Sequence, residues 1–331
     1  MITYVVLIVV VAFAFDFING FHDSANSIAT VVGTRVLSPV AAVLWAASFN
    51  FLALFTVGTA VAKAIGAGMI NLEIVTPTVI LGGLLGAIVW NLLTWFWGLP
   101  SSSSHALIGG YAGSAVAAAG TGAIEWGTKW IQTLVFIVLS PLIGLAVGLI
   151  LTVLIAWIFH RVKRLDLLNK GFRRGQLVSA AAFSLGHGAN DAQKTMGIIL
   201  ALLIAGNHLP TDADVPLWVV LAAHTAIGLG TLTGGWRIVK TMGSKITRLQ
   251  PSGGVAAESA AAATLFATSA AGIPVSTTHT ITGGIVGVGA ARRLSAVRWG
   301  VAGRVVWAWV LTIPGAFIIA FVSSLVVQAL S

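Results

Sequence analysis

The chain has 331 residues, of which 57% are hydrophobic and only 8% charged, and its mean hydropathy is +0.98. A soluble domain carries about a quarter charged residues, so a soluble globular fold is excluded, and the lack of cysteine excludes disulfides and thiolate metal sites. The net charge of +9 raises nucleic acid as a partner, but the placement of the basic residues argues against it.

Apolar segments are predicted at roughly 2–32, 39–62, 78–98, 103–119, 130–158, 176–206, 216–236, 253–273, 279–291 and 299–328. The opening run MITYVVLIVVVAFAF has no basic n-region and no small-residue cleavage site, so it reads as a first membrane helix rather than a removed signal peptide. Suppose that 78–119 and 253–291 each enter and leave on one side. The basic residues then segregate. Arg35, Arg161, Lys163, Arg164, Lys170, Arg173, Arg174, Arg237, Lys240, Lys245, Arg248, Arg292, Arg293, Arg298 and Arg304 fall on one side. Lys63 and Lys129 fall on the other, beside Glu73, Glu125, Asp212 and Asp214. The positive-inside rule makes the basic side cytoplasmic and leaves both termini outside, in a multi-pass protein of the cell membrane. The basic residues therefore orient the chain in a lipid bilayer, and no nucleic-acid partner is expected.

The expected fold class is an all-α polytopic membrane protein built from inverted repeats, with interrupted helices and two re-entrant hairpins. The long polar stretch HRVKRLDLLNKGFRR (160–174) divides the chain into a first repeat over 1–159, a cytoplasmic basic linker over 160–175 and a second repeat over 176–331. NGFHDSANS (19–27) aligns with HGANDAQKT (187–195), and PSSSSHALIGG (100–110) aligns with PVSTTHTITGG (274–284). Each half crosses the membrane an odd number of times, so the second is inverted relative to the first. Inverted repeats with broken helices mark secondary transporters, whose substrate sits between the repeats near the midplane. Small residues over 252–272 suit a hairpin packed inside protein better than one facing lipid.

Pro100 and Pro274 are expected to end the incoming helix of each hairpin. The hydroxyls that follow, Ser101, Ser102, Ser103 and Ser104 and then Ser276, Thr277 and Thr278, sit where the outgoing helix begins. A helix start offers unpaired N–H groups and a positive dipole end, so two such tips make an oxyanion site from neutral donors. Simple capping explains one such string; its recurrence in both halves favours a ligand.

Asn19, Asp23 and Asn26 lie at i, i+4 and i+7 on one helical face, a spacing repeated by His187, Asp191 and Lys194. Ionisable residues deep in a membrane helix are costly and mark function. Gly20, Gly186 and Gly188 are expected to let these helices open and expose carbonyls. Carboxylates facing an anion site admit two readings: they hold a cation that travels with the anion, or they accept a hydrogen bond from a protonated oxyanion. The second reading favours phosphate, which keeps a P–OH near neutral pH, over sulfate, which keeps none. Lys194 supplies a point charge for the anion. His22, His105, His187 and His279 are expected to orient these groups, with a proton relay as the other role for His105 and His279. Asn50, Asn91, His224 and Glu258 read as helix–helix hydrogen-bonding residues.

Together GFHDSAN, GANDAQK, PSSSSH and PVSTTH resemble the paired motifs of the inorganic phosphate transporter (PiT) family, and GTLTGGWRIVKTMGSKI (230–246) resembles a further family stretch. The resemblance implies an inverted-repeat fold with two re-entrant hairpins, a homodimer, and inorganic phosphate moved with a coupling cation. It makes Asp23, Ser102, Ser103, Ser104, Asp191, Lys194, Ser276, Thr277 and Thr278 candidates for phosphate binding. Asp23, Asn26, Asn190 and Asp191 become candidates for the coupling cation or proton. His22 and Lys194 replace asparagines that help to bind Na⁺ in sodium-coupled members, and a fixed ammonium beside a Na⁺ site is repulsive. The pattern is similar to the bacterial low-affinity, proton-coupled branch, which takes up a metal–phosphate complex. H⁺ coupling is therefore expected, with Na⁺ coupling or a sulfate or other oxyanion permease as alternatives, and with a divalent metal ion as a possible companion of the substrate. No enzyme activity and no cofactor are expected: a membrane hydrolase built on Ser104 leaves the second motif unexplained, a channel needs no internal symmetry, and no nucleotide-binding P-loop is present.

Overall fold

The computed structural model describes residues 2–56, 58–59, 62, 69–71, 74–273 and 275–330, so the expectations for Lys63, Glu73 and Pro274 lie outside the described residues. Among the described residues the structure is helical apart from one isolated bridge between Ile70 and Ile124. That follows from the composition, because a backbone in lipid must satisfy its own hydrogen bonds. In chain order the helices are α1 (Ile2–Gly33), α2 (Pro39–Leu52), α3 (Pro77–Trp97), α4 (Ser103–Ala119), α5 (Thr128–Phe159) and α6 (Leu165–Ala205). They continue with α7 (Leu217–Thr233), α8 (Trp236–Lys240), α9 (Pro251–Ala270), α10 (Thr277–Arg292) and α11 (Trp299–Leu330). Local chemistry starts several of them: Ser38 and Thr76 cap α2 and α3, each with proline in the first turn.

Among the described residues α1, α3, α5 and α11 are long and apolar enough to cross a bilayer, and α7 with α8 and a π-turn (Thr241–Lys245) reaches that length and apolarity only as a pair bent by 60°, a broken span or a re-entrant turn. At 41 residues, α6 is about 60 Å long, twice the bilayer core. Its first turns run through the basic stretch, so much of 160–174 is helical and only 160–164 lies between α5 and α6.

The breaks fall elsewhere than at the aspartate motifs. α1 and α6 run unbroken through both, which corrects the expectation that glycine opens them. A Cβ on Gly20 would lie 2.2 Å from the Ile227 carbonyl oxygen, and one on Gly188 would lie 2.5 Å from that of Asn50. These glycines let α7 approach α1 and α2 approach α6, backbone against backbone; neither exposes a carbonyl.

The real interruptions are the two turns that join α3 to α4 and α9 to α10. Around them the packing is exchanged: α11 lies against α3 and α4, and α5 lies against α9 and α10. Likewise α1 packs on α7, and α6 on α2. One apolar cluster takes Phe15 from α1 with Ala192 to Leu202 from α6, and a second takes Ala25 to Val31 with Ala180 and Phe183. The motif residues of α1 and α6 form a polar layer between these clusters.

Candidate functional site

The two turns are built alike. Gly98 ends α3 in the left-handed conformation (φ 65°) and Leu99 N–H donates to the Thr94 carbonyl at 2.9 Å. After α9, Gly272 takes φ 64° and Ile273 N–H donates to the Thr268 carbonyl at 2.9 Å. Both are glycine-terminated C-caps. Gly98 therefore ends α3 ahead of Pro100, which corrects the role expected of that proline. Ser102 and Ser276 then cap α4 and α10 in the same extended conformation, each accepting from the amide three residues on, His105 and His279, at 3.2 Å. One hydroxyl in each string does cap; the others do something else.

From the second turn, Thr277 donates to Asp191 Oδ2 at 3.2 Å, and Thr278 accepts from Asn26 Nδ2 of α1 at 2.9 Å. From the first, Ser104 accepts from the Lys194 ammonium of α6. Lys194 also donates to Asp191 Oδ1 and, at 3.2 Å, to the Val275 carbonyl. The ammonium thus joins both turns and the second aspartate at one point, although it is only 1% exposed. Ser103 is buried, and its hydroxyl has no partner among the described residues.

Asp23 is held differently. His22 Nδ1 lies 2.7 Å from Asp23 Oδ1, and His22 Nε2 lies 3.1 Å from the Thr94 hydroxyl of α3. Ser101 of the first turn donates to Thr94 at 2.8 Å and lies 3.4 Å from His22 Nε2. His187 Nε2 lies 3.2 Å from Asp191 Oδ2, while its Nδ1 lies 3.2 Å from Asn50 Oδ1. Asn50 donates in turn to Thr231 of α7 at 2.9 Å. Asp23, His187 and Asp191 each bring a ligand atom within 4.8 Å of the others, which is a set able to take a metal ion. Two carboxylates and an imidazole suit a divalent cation.

Asn190 points away from this centre and donates to Ser269 of α9 at 3.0 Å. His105 and His279 meet behind the turns with ring centroids 4.9 Å apart. His279 stacks on Trp309 of α11 at 4.1 Å, and Trp309 donates to the Pro100 carbonyl at 2.9 Å. These rings brace the turns. Glu258 accepts from Gln176 at 3.0 Å and from Ser179, joining α9 to α6, and His224 Nδ1 lies 2.9 Å from the Val220 carbonyl. Thr94 and Asn50 as supports of His22 and His187 carry no signal in the sequence beyond polarity in an apolar helix.

A buried ammonium between two hydroxyl-rich helix starts, beside two carboxylates from separate helices, has the chemistry to take an oxyanion together with a cation or proton. Residues 19–320 match the phosphate transporter family, a range that contains both aspartate motifs and both turns. A Rhizobium meliloti protein named "Probable low-affinity inorganic phosphate transporter" is 55% identical over 312 residues, covering 94% of this chain and 93% of that one. A Bacillus subtilis protein of the same name is 48% identical over 316 residues, covering 93% and 92%. Among solved structures, "The sodium-dependent phosphate transporter" superposes with a TM-score of 0.90 at 25% identity, covering 99% of this chain and 100% of that one. With its four motifs inside the matched range and its helical framework shared, this chain belongs to the phosphate transporter family.

Proposed function

We propose that this chain is a secondary transporter that carries inorganic phosphate across the cell membrane with a coupling proton. One observation carries the reading: Lys194 reaches Ser104 of one turn, Val275 of the other and Asp191 at once. Phosphate entering there replaces these contacts with its own. Its oxygens accept from Lys194, Ser103, Ser104 and the amides at the starts of α4 and α10. Its P–OH donates to Asp23 or Asp191, a contact that sulfate cannot make. The hydroxyl oxygens of Ser102 and Ser276 are spent on capping, which leaves the anion chiefly to their neighbours in each string. A divalent ion travelling as metal–phosphate fits against Asp23, His187 and Asp191.

The matched turns and the exchanged packing of α5 and α11 support two repeats of opposite orientation, with the turns as re-entrant tips meeting near the midplane. Alternating access then means rocking of the packed helices around the polar layer. The basic loops face the cytoplasm in this reading.

Na⁺ coupling is the second reading, favoured by the solved relative's description as sodium-dependent. Lys194 weighs against it, because its fixed positive charge is bonded to one of the two motif carboxylates that a Na⁺ would need. Purified protein in liposomes separates the two. Labelled phosphate should accumulate under an inward proton gradient without Na⁺ and resist excess sulfate. Accumulation driven by a Na⁺ gradient and indifferent to pH would overturn proton coupling, and competition by sulfate would overturn phosphate selectivity.

A further inference from the structure

The roles above leave one carboxylate unused. Asp16 lies on α1 at i−7 from Asp23, about 10 Å along the axis and on the same face as Asn19. It is 0% exposed, and among the described residues neither of its oxygens has a hydrogen-bond partner. Beside it stand the Asn19 side chain and the Thr195 hydroxyl of α6. Asn19 Oδ1 and Thr195 Oγ1 are buried without partners as well. The cluster therefore holds four oxygens without a hydrogen-bond partner among the described residues, one of which, the Thr195 hydroxyl, can donate as well as accept. An ionised carboxylate left alone in such a place is opposed by a desolvation penalty of several kcal/mol, so the site calls for a positive charge. A proton answers both needs: it removes the charge, and the O–H it creates can donate to Asn19 Oδ1 or Thr195 Oγ1. A dehydrated metal cation seeks about six oxygen ligands, more than these three residues offer.

Charges from α6 act on Asp16 with opposite signs, Asp191 opposing its negative form and Lys194 supporting it. Other elements against α1 bring few competitors. α7 carries His224, whose Nδ1 faces the Val220 carbonyl. α9 brings Glu258 alongside Thr30, far along α1. His105 of α4 and His279 of α10 stand behind the turns. α2 and α3 carry no titratable side chain. Arg237, Lys240 and Lys245 lie on a segment whose glycines meet α1 at Phe21 to Ser24, Ala29 and Gly33, beyond Asn19 from Asp16. Among the charged groups, the Asp191–Lys194 pair is the one that acts on Asp16, and it is the same pair that phosphate is proposed to engage.

We propose that Asp16, with Asn19 and Thr195, is the binding site of the coupling proton. Phosphate arriving at Lys194 adds negative charge and withdraws the support that the ammonium gives to an ionised Asp16. The proton is then bound more tightly when phosphate is present, which is the linkage a symporter requires. The proposal rests on proton-coupled phosphate transport by this chain.

The test uses Asp16→Asn and Asp16→Glu in liposomes. Each unit of pH gradient supports about tenfold accumulation per coupled proton. Wild type and Asp16→Glu should accumulate phosphate accordingly and acidify the lumen as they do so, read by a trapped pH dye. Asp16→Asn should still exchange labelled for unlabelled phosphate at zero gradient, which shows that it is folded. Its accumulation ratio under the pH gradient should fall to about one, with no phosphate-dependent proton signal. Asp16→Asn that accumulates phosphate like wild type, or that loses gradient-free exchange as well, overturns the assignment. So does a wild type that accumulates on a Na⁺ gradient alone. A wild type that exchanges no phosphate overturns the proposed function, and the proton site falls with it.

Discussion

The two aspartate motifs share a backbone plan and differ in charge. α1 and α6 both pass unbroken through the polar layer, and each presents its aspartate beside a turn capped by serine. Yet Asp23 is paired with a histidine held by Thr94, whereas Asp191 is paired with a fixed cation that also reaches the opposite turn. The backbone plan is thus common to both motifs, and only the α6 side brings an ammonium to its aspartate. In the proposed transport cycle this divides the labour: the Lys194 side attracts the anion, and the His22 side adjusts to its protonation or to an accompanying metal.

The sharpest way to break that comparison is to remove charge from each side separately. Lys194→Met leaves Asp191 buried without its counter-ion, a loss of about 3–5 kcal/mol. Thermal unfolding in detergent should show a large drop, and phosphate uptake should fall to background. Adding Asp191→Asn should recover most of the stability and none of the uptake. Asp23→Asn, which leaves no ammonium without its partner, should also abolish uptake while unfolding near the wild-type temperature. Equal destabilisation by Asp23→Asn and Lys194→Met would erase the distinction between the two sides.

The close helix crossings offer a second, smaller contrast. Gly20→Ala and Gly188→Ala press a methyl group against backbone oxygen, where nothing can rotate away. At Gly186 the nearest atoms belong to the side chains of Leu265 and Phe266, from 3.3 Å outward. Overpacking of this kind costs about 1–3 kcal/mol, so the first two variants should unfold several degrees below Gly186→Ala. If all three behaved alike, the glycines would not be there for helix approach.

What was legible in the sequence was whatever repeats. The strings PSSSSH and PVSTTH sit at matched places, and their hydroxyls do gather at two like-built turns. The aspartates, placed by helical spacing on one face each, do come within reach of one another. What stayed hidden breaks the repetition or crosses between distant segments. By the alignment of Asp23 with Asp191, the counterpart of Asp16 is Ser184, so a search for pairs passes over it. Consecutive helix residues do not normally face each other, so the His22–Asp23 contact had no pattern to betray it. Unbroken helices at the motifs were missed because glycine near a polar residue suits either an opening or a close crossing, and only the neighbouring backbone decides between them.

The smallest effects separate capping from binding within one serine string. The Ser102 hydroxyl oxygen accepts from His105 N–H, so Ser102→Ala should cost about 1 kcal/mol of stability. Ser276→Ala should cost the same amount, since its geometry matches. Ser103 is buried with no partner for its hydroxyl, so Ser103→Ala removes no bond from the folded protein. If that hydroxyl serves phosphate, its loss should leave the unfolding temperature unchanged and raise the KM for phosphate about tenfold, the value of one hydrogen bond to a charged ligand. Unfolding temperatures and uptake kinetics on the three variants then give two opposite profiles. Stability should fall with little change in KM at the caps, and KM should rise with no change in stability at Ser103. A Ser103→Ala variant with unchanged KM would remove that residue from the cradle and leave the anion to Ser104, Lys194 and the second turn.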